Sequence, residues 1–110
     1  MGQLTIGSVV VVSFPYADLR TYKKRPAVVA AVSSLDTVVL CQITSRQLVG
    51  VPAIIIGNNN FSFGRLPQTS YIRPDKLVTV DSSIASEQIL GQLNPQTVSQ
   101  LRQSISQLFL

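Results

Sequence analysis

The clearest structural signal lies in residues 7–30, which read GSVVVVSFPYADLRTYKKRPAVVA. Ser8–Phe14 is a short β-branched run that predicts a strand buried on both faces. Tyr16–Lys24 is polar and basic and has no hydrophobic period, so we expect an exposed loop. Ala27–Val32 predicts a second strand, with Pro26 at its start, where a missing N–H removes only a terminal hydrogen bond.

Further apolar runs follow, separated by turn residues. Thr37–Thr44 predicts a third strand, which should form an antiparallel hairpin with the second because only Ser33–Asp36 lies between them. Strand character returns in Ala53–Ile56 and on both sides of Pro74-Asp75. Between them, Gly57–Thr69 is rich in Asn, Gly and Pro and predicts a long surface loop.

The C-terminal segment predicts a helix. Asn94 is a good N-cap, and Pro95 occupies the first helical position, where its missing N–H costs nothing. Apolar residues then recur at spacings of three and four on one face: Val98, Leu101, Ile105, Leu108 and Phe109. Many short strands before one helix predict a mainly β, α+β fold with a small, strongly curved sheet or partly closed barrel. We expect residues 1–110 to form one domain.

The composition limits the chemistry that the chain can perform. Among 110 residues there is no His and one Cys, which excludes imidazole catalysis, His-based metal sites, an intramolecular disulfide and Cys-rich zinc sites. Cys41 lies in an apolar strand, where a buried and inert thiol is expected. The five carboxylates are scattered, so a two-metal site is hard to assemble. We therefore expect neither a metal nor a cofactor.

The charge balance favours an anionic partner. Nine Lys and Arg residues against five Asp and Glu residues give a net charge of +4, which suits nucleic acid or an acidic protein. No apolar run approaches the roughly 18–20 residues that span a bilayer. No charged region precedes the first apolar stretch, as a signal peptide would require. We expect a cytoplasmic protein with no membrane partner.

Four segments carry candidate functional side chains, and each also has a purely structural interpretation. A basic loop is often only solvated, and a Thr-Ser pair at a strand end is often a turn. Arg73 and Asp75 could form a structural ion pair or a turn, and two Phe side chains could cover the core. The segments are Arg20–Arg25, Thr44–Arg46, Phe61–Arg65 and Ser70–Lys76.

Taken together, several blocks resemble the MazF/PemK family of toxins from type II toxin–antitoxin systems. They are residues 7–30, CQITSR at 41–46, SYIRPDKLVTVD at 70–81 and the terminal helix, with Arg25-Pro26-Ala27-Val28-Val29 the most recognisable piece. The resemblance implies an SH3-like barrel with a C-terminal helix, usually a homodimer. It also implies a metal-independent endoribonuclease that cuts single-stranded RNA, such as mRNA, at short sequences and is neutralised by a small acidic antitoxin.

The resemblance assigns roles to individual residues. Arg25 matches an arginine that stabilises the phosphate and contributes to acid catalysis, and Thr44 matches a hydroxyl that contacts the scissile region. Arg73 and Asp75 match an Arg-x-Asp pair that has acid and base roles in the PemK-like branch. The expected substrate-binding residues are the aligned hydroxyl of Ser70, the cations Lys23, Lys24 and Arg46, and the aromatic rings of Tyr16 and Phe61, which could stack on unpaired bases.

This residue set is sufficient for RNA cleavage because RNA carries its own nucleophile. The site must remove the 2′-hydroxyl proton, stabilise a dianionic phosphorane and protonate the leaving 5′-oxygen, which yields a 2′,3′-cyclic phosphate. Asp75 can act as the base if burial raises its pKa, whereas the neighbouring Arg73 would lower it. Arginine is a poor proton donor, so an acid role is the least favourable part of the scheme.

The first loop departs from the family pattern. Many members have Asp-Pro-Thr and a Glu-Gln-x-Gly stretch, where this chain has Phe14-Pro15-Tyr16 and Thr21–Lys24. A Glu contribution from that loop is therefore absent, which affects base specificity more than the fold. Two other functions stay open. One is a DNA gyrase poison of the CcdB type, whose typical aromatic–Gly–Ile end differs from Gln107–Leu110 here. The other is a non-catalytic SH3-like module that binds RNA or protein.

Overall fold

The computed structural model describes residues 4–15, 19–33, 35–47 and 49–110. Within them lie seven strands, a 3₁₀ turn at Asn58–Asn60 and two α-helices. No helix in these ranges is long and apolar enough to cross a membrane. In chain order the elements are β1 (Ser8–Pro15), β2 (Tyr22–Val32), β3 (Thr37–Thr44), β4 (Ile54–Ile56), β5 (Phe61–Gly64), β6 (Ser70–Asp81), α1 (Ser82–Ala85), β7 (Ile89–Leu93) and α2 (Pro95–Gln107).

The strands form one antiparallel sheet in the order β4-β6-β3-β2-β1-β7-β5, and this sheet must curl. Its two edge strands are joined through residues 57–60, so Ile56 and Phe61 are close in the chain. A flat sheet of this width would hold its edges about 29 Å apart, whereas the link spans about 18 Å at most. The prediction of a mainly β, strongly curved sheet with a C-terminal helix is confirmed.

The two faces of the β1–β2 pair belong to different cores. Val9 and Val28 pack into one cluster of buried residues, which also contains Leu101 of α2. Val10 and Val29 pack into a second cluster. Successive residues of a strand point to opposite faces, so alternate residues of each strand pack into the two cores. The predicted strand is therefore confirmed, and Ser8–Val10 is buried on both faces, but Val11 is only partly buried and Ser13 is exposed.

The exposed loop predicted for Tyr16–Lys24 is wrong in its C-terminal part. β2 begins at Tyr22, and Lys23 and Lys24 pair with Phe14 and Ser13 of β1. Cross-strand pairing with β1 therefore overrides the polar composition of this segment. The β2–β3 ladder begins at Ala27, immediately after the proline that lacks an N–H.

The long loop predicted over Gly57–Thr69 is also partly wrong, because it contains the short strand β5. β5 pairs with β7, and Gly64 lies opposite Gly91. Gly64 has a φ of 76°, and a Cβ there would lie 2.1 Å from the Leu90 carbonyl oxygen. Gly64 therefore allows two strands to approach closely, although glycine in this segment suggested a loop in the sequence.

β6 runs continuously through Pro74-Asp75, where two separate strand pieces were expected. Gln42 of β3 pairs with Arg73, but the preceding Cys41 pairs with Leu77, so residues 74–76 have no partner on β3. Pro74 is fully buried within this wide bulge. A proline is tolerated here because the ladder already lacks its hydrogen bond at this position.

Helix α2 begins as the sequence predicts. The Asn94 side-chain oxygen accepts a hydrogen bond from the Thr97 N–H at 2.9 Å, and its amide nitrogen donates to the Asn59 carbonyl at 3.0 Å. Val98 and Ile105 pack against the first core as expected. The predicted apolar face is too long, because Leu108 and Phe109 lie beyond the helix and are 37% and 75% exposed.

We expect Asn94→Ala to lower the free energy of unfolding by about 1–2 kcal/mol, because both the helix cap and the bond to the neighbouring turn are lost. Urea denaturation followed by circular dichroism measures this change. The matched control is Asn59→Ala, which removes an exposed side chain and should change stability by less than about 0.5 kcal/mol. Equal stability of the two variants would contradict the role of the cap.

Candidate active site

Three adjacent strands bring the main candidate residues together. On β3, Gln42 pairs with Ala27 of β2 on one side and with Arg73 of β6 on the other. Since Arg25 lies two residues before Ala27, the two arginines flank the end of β3. A cavity of about 200 Å³ opens at this point, and it is lined by Arg25, Gln42, Thr44, Arg46, Arg73 and Lys76.

Arg73 and Asp75 form a two-pronged ion pair at the bulge of β6. Arg73 Nε donates to Asp75 Oδ1 at 2.8 Å, and Arg73 Nη2 donates to Asp75 Oδ2 at 2.7 Å. The Arg73 side chain is 12% exposed and that of Asp75 is 32% exposed. Parallel bonds of this kind fix the plane of a guanidinium as well as its position. The ion pair considered from sequence is therefore present, and it orients an arginine that lines the cavity.

This contact makes Asp75 a weaker base and Arg73 a weaker acid. The hydrogen bonds from Arg73 lower the pKa of Asp75, and the same bonds raise the pKa of Arg73. Burial alone would raise the pKa of Asp75 and help it to accept a proton. The hydrogen bonds from the Arg73 guanidinium outweigh burial, so the pKa of Asp75 is lowered. The arrangement favours electrostatic stabilisation by arginine over proton donation from it.

Thr44 shapes the turn that follows β3. Its side-chain oxygen accepts a hydrogen bond from the Arg46 backbone N–H at 3.1 Å. The hydroxyl proton of Thr44 is not needed for this bond, so it can be donated to an anion in the cavity. The same contact holds Arg46 at the end of the strand, where it lines the cavity with Arg25.

Ser70 is placed beside the site but its hydroxyl proton is already used. The residue is 4% exposed, and its Oγ donates to the Gln68 carbonyl oxygen at 3.0 Å. It lines a second cavity of about 190 Å³, which also contains Arg25 and Thr44. Since a hydroxyl has one proton, Ser70 holds the preceding loop while this bond persists.

Other candidates lie away from these cavities. Lys23 and Lys24 are exposed on β2 and line neither cavity. Phe61 is half-buried on β5, at the opposite edge of the sheet, and packs against the first core. Phe61 thus covers the core, as the sequence left open for both Phe side chains, whereas Phe63 is exposed. Tyr16 lies outside the described residues.

The structure adds Gln42 to the set of cavity residues. Nothing in its sequence context separates it from an ordinary strand residue, and only its pairing with Arg73 places it at the site. Lys76 is brought in by the bulge, which turns a residue of the strand break into a cavity residue. Lys76 already belongs to the candidate segment Ser70–Lys76, whereas the β3–β6 register is needed to find Gln42.

Cys41 is excluded from this chemistry. The residue is fully buried, and burial, with a smaller effect from the Asp75 charge, raises the pKa of its thiol to about 12. A thiol with this pKa is neither a nucleophile nor a ready metal ligand at neutral pH. Among the described residues, no three His, Cys, Asp or Glu side chains are grouped closely enough to hold a metal ion.

A family model described as PemK-like, MazF-like toxin of type II toxin–antitoxin system matches residues 5–109. The chain belongs to this family. It is therefore a PemK/MazF-like toxin, and a type II system implies an antitoxin as its partner. No curated protein sequence matches the chain.

Asp75→Asn should destabilise the toxin at neutral pH, and the difference from wild type should shrink in acid. The pKa of Asp75 is lower in the folded than in the unfolded chain, where it is about 3.9. The ion pair therefore contributes stability that is fully present above that value and is lost as the pH falls through the folded-state pKa. Urea titrations at a series of pH values measure this difference.

The control for this experiment is Asp81→Asn, which lies at the end of the same strand and has no ion-pair partner among the described residues. It should remain close to wild type in stability throughout the series. If the stability difference between Asp75→Asn and wild type stays constant down to acid pH, the ion pair does not contribute the pH-dependent stability described above.

Proposed function

We propose that this toxin is a sequence-specific, metal-independent endoribonuclease that cleaves single-stranded RNA such as mRNA. The observation that carries the proposal is the convergence of Arg25, Thr44 and Arg73 on one cavity, with Arg73 held in a fixed plane by Asp75. A pair of guanidinium groups and a hydroxyl around one cavity match the donor groups that a phosphodiester requires. Membership of the toxin family supports the same activity.

The reaction is an internal transfer at phosphorus. The 2′-oxygen of the RNA forms a bond to phosphorus, and the bond from phosphorus to the 5′-oxygen breaks. The 2′-hydroxyl gives up its proton and the leaving 5′-oxygen gains one, so the products are a 2′,3′-cyclic phosphate and a 5′-hydroxyl. Negative charge grows on the non-bridging oxygens during this step. Arg73, held by Asp75, and Arg25 on the neighbouring strand stabilise that charge, and Thr44 donates a further hydrogen bond.

Asp75 contributes to the reaction chiefly by orienting Arg73. Both of its carboxylate oxygens accept hydrogen bonds from that guanidinium, and its pKa is lowered. A base works best when its pKa lies near the operating pH, so proton removal by Asp75 requires one oxygen to leave Arg73 first. The phosphate of the substrate competes for the same Arg73 N–H groups, so its binding can release one oxygen of Asp75.

The remaining partners follow from charge and exposed apolar surface. We propose that residues 1–110 form one toxin domain, which acts in the cytoplasm as a homodimer and is neutralised by a small acidic antitoxin. The net charge of +4 complements an acidic partner. Large apolar side chains are exposed at several places, among them Val49, Ile55 and Phe109 at 99%, 60% and 75%. Apolar side chains of this kind mark an interaction surface where they form one contiguous patch.

Arg25→Ala should reduce RNA cleavage by at least about 100-fold, because removal of one preorganised donor to the developing oxyanion costs about 10²–10³ in rate. Asp75→Ala should cause a similar loss, because Arg73 is no longer held in place. The assay uses purified toxin and a long single-stranded RNA in EDTA, with the 3′ ends of the products tested for cyclic phosphate.

Arg102→Ala is the matched control, since Arg102 is exposed on α2 and lines neither cavity. It should cleave like wild type. The absence of cleavage by wild type, or cleavage that needs Mg²⁺, would overturn the proposed mechanism. Full activity of a folded Arg25→Ala variant would remove that residue from the site.

A further inference from the structure

A third cavity continues the candidate active site along the surface. It has a volume of about 630 Å³ and lies between Gly57-Asn58 and the loop 65–69. It shares Leu66, Pro67 and Gln68 with the cavity that contains Ser70. That cavity in turn shares Arg25 and Thr44 with the one that contains the ion pair. The three cavities are therefore neighbours in a row, with the expected position of the reacting phosphate at one end and the largest of the three at the other.

The lining of this largest cavity differs from that of the catalytic end. It contains one cation, Arg65, where the catalytic end contains three arginines and a lysine. Its other side chains include the amides of Asn58 and Gln68 and the apolar surfaces of Leu66 and Pro67. Amides offer both donors and acceptors to the edge of a base, and apolar or guanidinium surfaces support its face.

One wall of the cavity is fixed by the core and by Ser70. Leu66 is 6% exposed and belongs to the first core cluster, so the loop is anchored at that residue. Two residues after Leu66, the Gln68 carbonyl oxygen accepts a hydrogen bond from the buried Ser70 hydroxyl at 3.0 Å. The Gln68 backbone is thereby fixed, while its side chain remains available to the cavity.

The opposite wall is fixed by helix α2. The side-chain oxygen of Asn60 accepts from the Gly57 N–H at 2.8 Å, which closes the 3₁₀ turn. The Asn60 amide nitrogen donates to the buried Thr97 hydroxyl of α2 at 3.0 Å. Both walls are thus held before any ligand arrives, which lowers the cost of ordering a bound group.

We propose that this cavity is a base pocket, which binds the unpaired base of a nucleotide next to the scissile phosphate and sets the base preference of cleavage. The inference rests on the proposed ribonuclease function and adds the residues that choose the sequence. A volume of about 630 Å³ lies within the roughly 300–1,000 Å³ of typical ligand pockets. Asn58 and Gln68 bind the edge of the base, Pro67 contacts one face, and the Arg65 guanidinium stacks on the base.

The test maps every cut in a long single-stranded RNA by sequencing the 5′-hydroxyl ends that wild type and variants produce in EDTA. Asn58→Ala and Gln68→Ala should each relax the preference at one position beside the cut by about tenfold, because a side-chain pair to a base edge contributes roughly that much discrimination. Gln68→Ala keeps the backbone carbonyl that Ser70 binds. The matched control is Gln88→Ala, an exposed glutamine that lines none of the three cavities, and it should leave the cut profile unchanged.

The outcomes separate the pocket from the activity itself. If wild type cuts and Arg25→Ala does not, yet the cut profiles of both amide variants match wild type, the base pocket is wrong and the ribonuclease stands. If wild type cuts no RNA, the proposed function and the pocket fail together. Circular dichroism checks that the variants fold, and Arg65→Gln, in an exposed loop, provides a third variant whose cut profile must also shift.

Discussion

The interrupted ladder between β3 and β6 is the constraint on which the site depends. Cys41 pairs with Leu77 and Gln42 with Arg73, so three residues of β6 are left without partners on β3. In a regular strand Arg73 and Asp75 would share one face of the sheet and Lys76 would lie on the other. The bulge breaks this alternation, and both Arg73 and Lys76 line the cavity at the end of β3. Local loss of sheet hydrogen bonding thus produces a local concentration of charge.

That concentration remains strongly cationic even after Asp75 is paired. The carboxylate offsets one positive charge, and Arg25, Arg46 and Lys76 line the same cavity. Like charges repel, and the strands that carry these side chains are held in place by the two cores. An anion in this cavity would reduce that repulsion, which agrees with the proposed phosphate site.

The strand cores and the capped helix were predictable because each rests on a local pattern. The β-branched and apolar composition of Val9–Val12 and Ala27–Val29 predicts buried strands, and Asn94-Pro95 predicts the start of a helix. β5 and the start of β2 were missed, since their residues become strands through pairing with distant segments. At the site, the resemblance to a known family supplied Arg25, Thr44, Arg73 and Asp75. The place of Gln42 beside Arg73 depends on the β3–β6 register, which no local pattern encodes.

The burial of Cys41 has a practical consequence for work on this protein. The chain has one cysteine, and the pKa of its thiol is about 12. Burial keeps this thiol protonated at neutral pH and closes it off from solvent. A cysteine introduced on the surface would therefore be labelled with a fluorophore or spin probe without competition from the natural one. The native chain already has the low background that such spectroscopic studies otherwise need a substitution to reach.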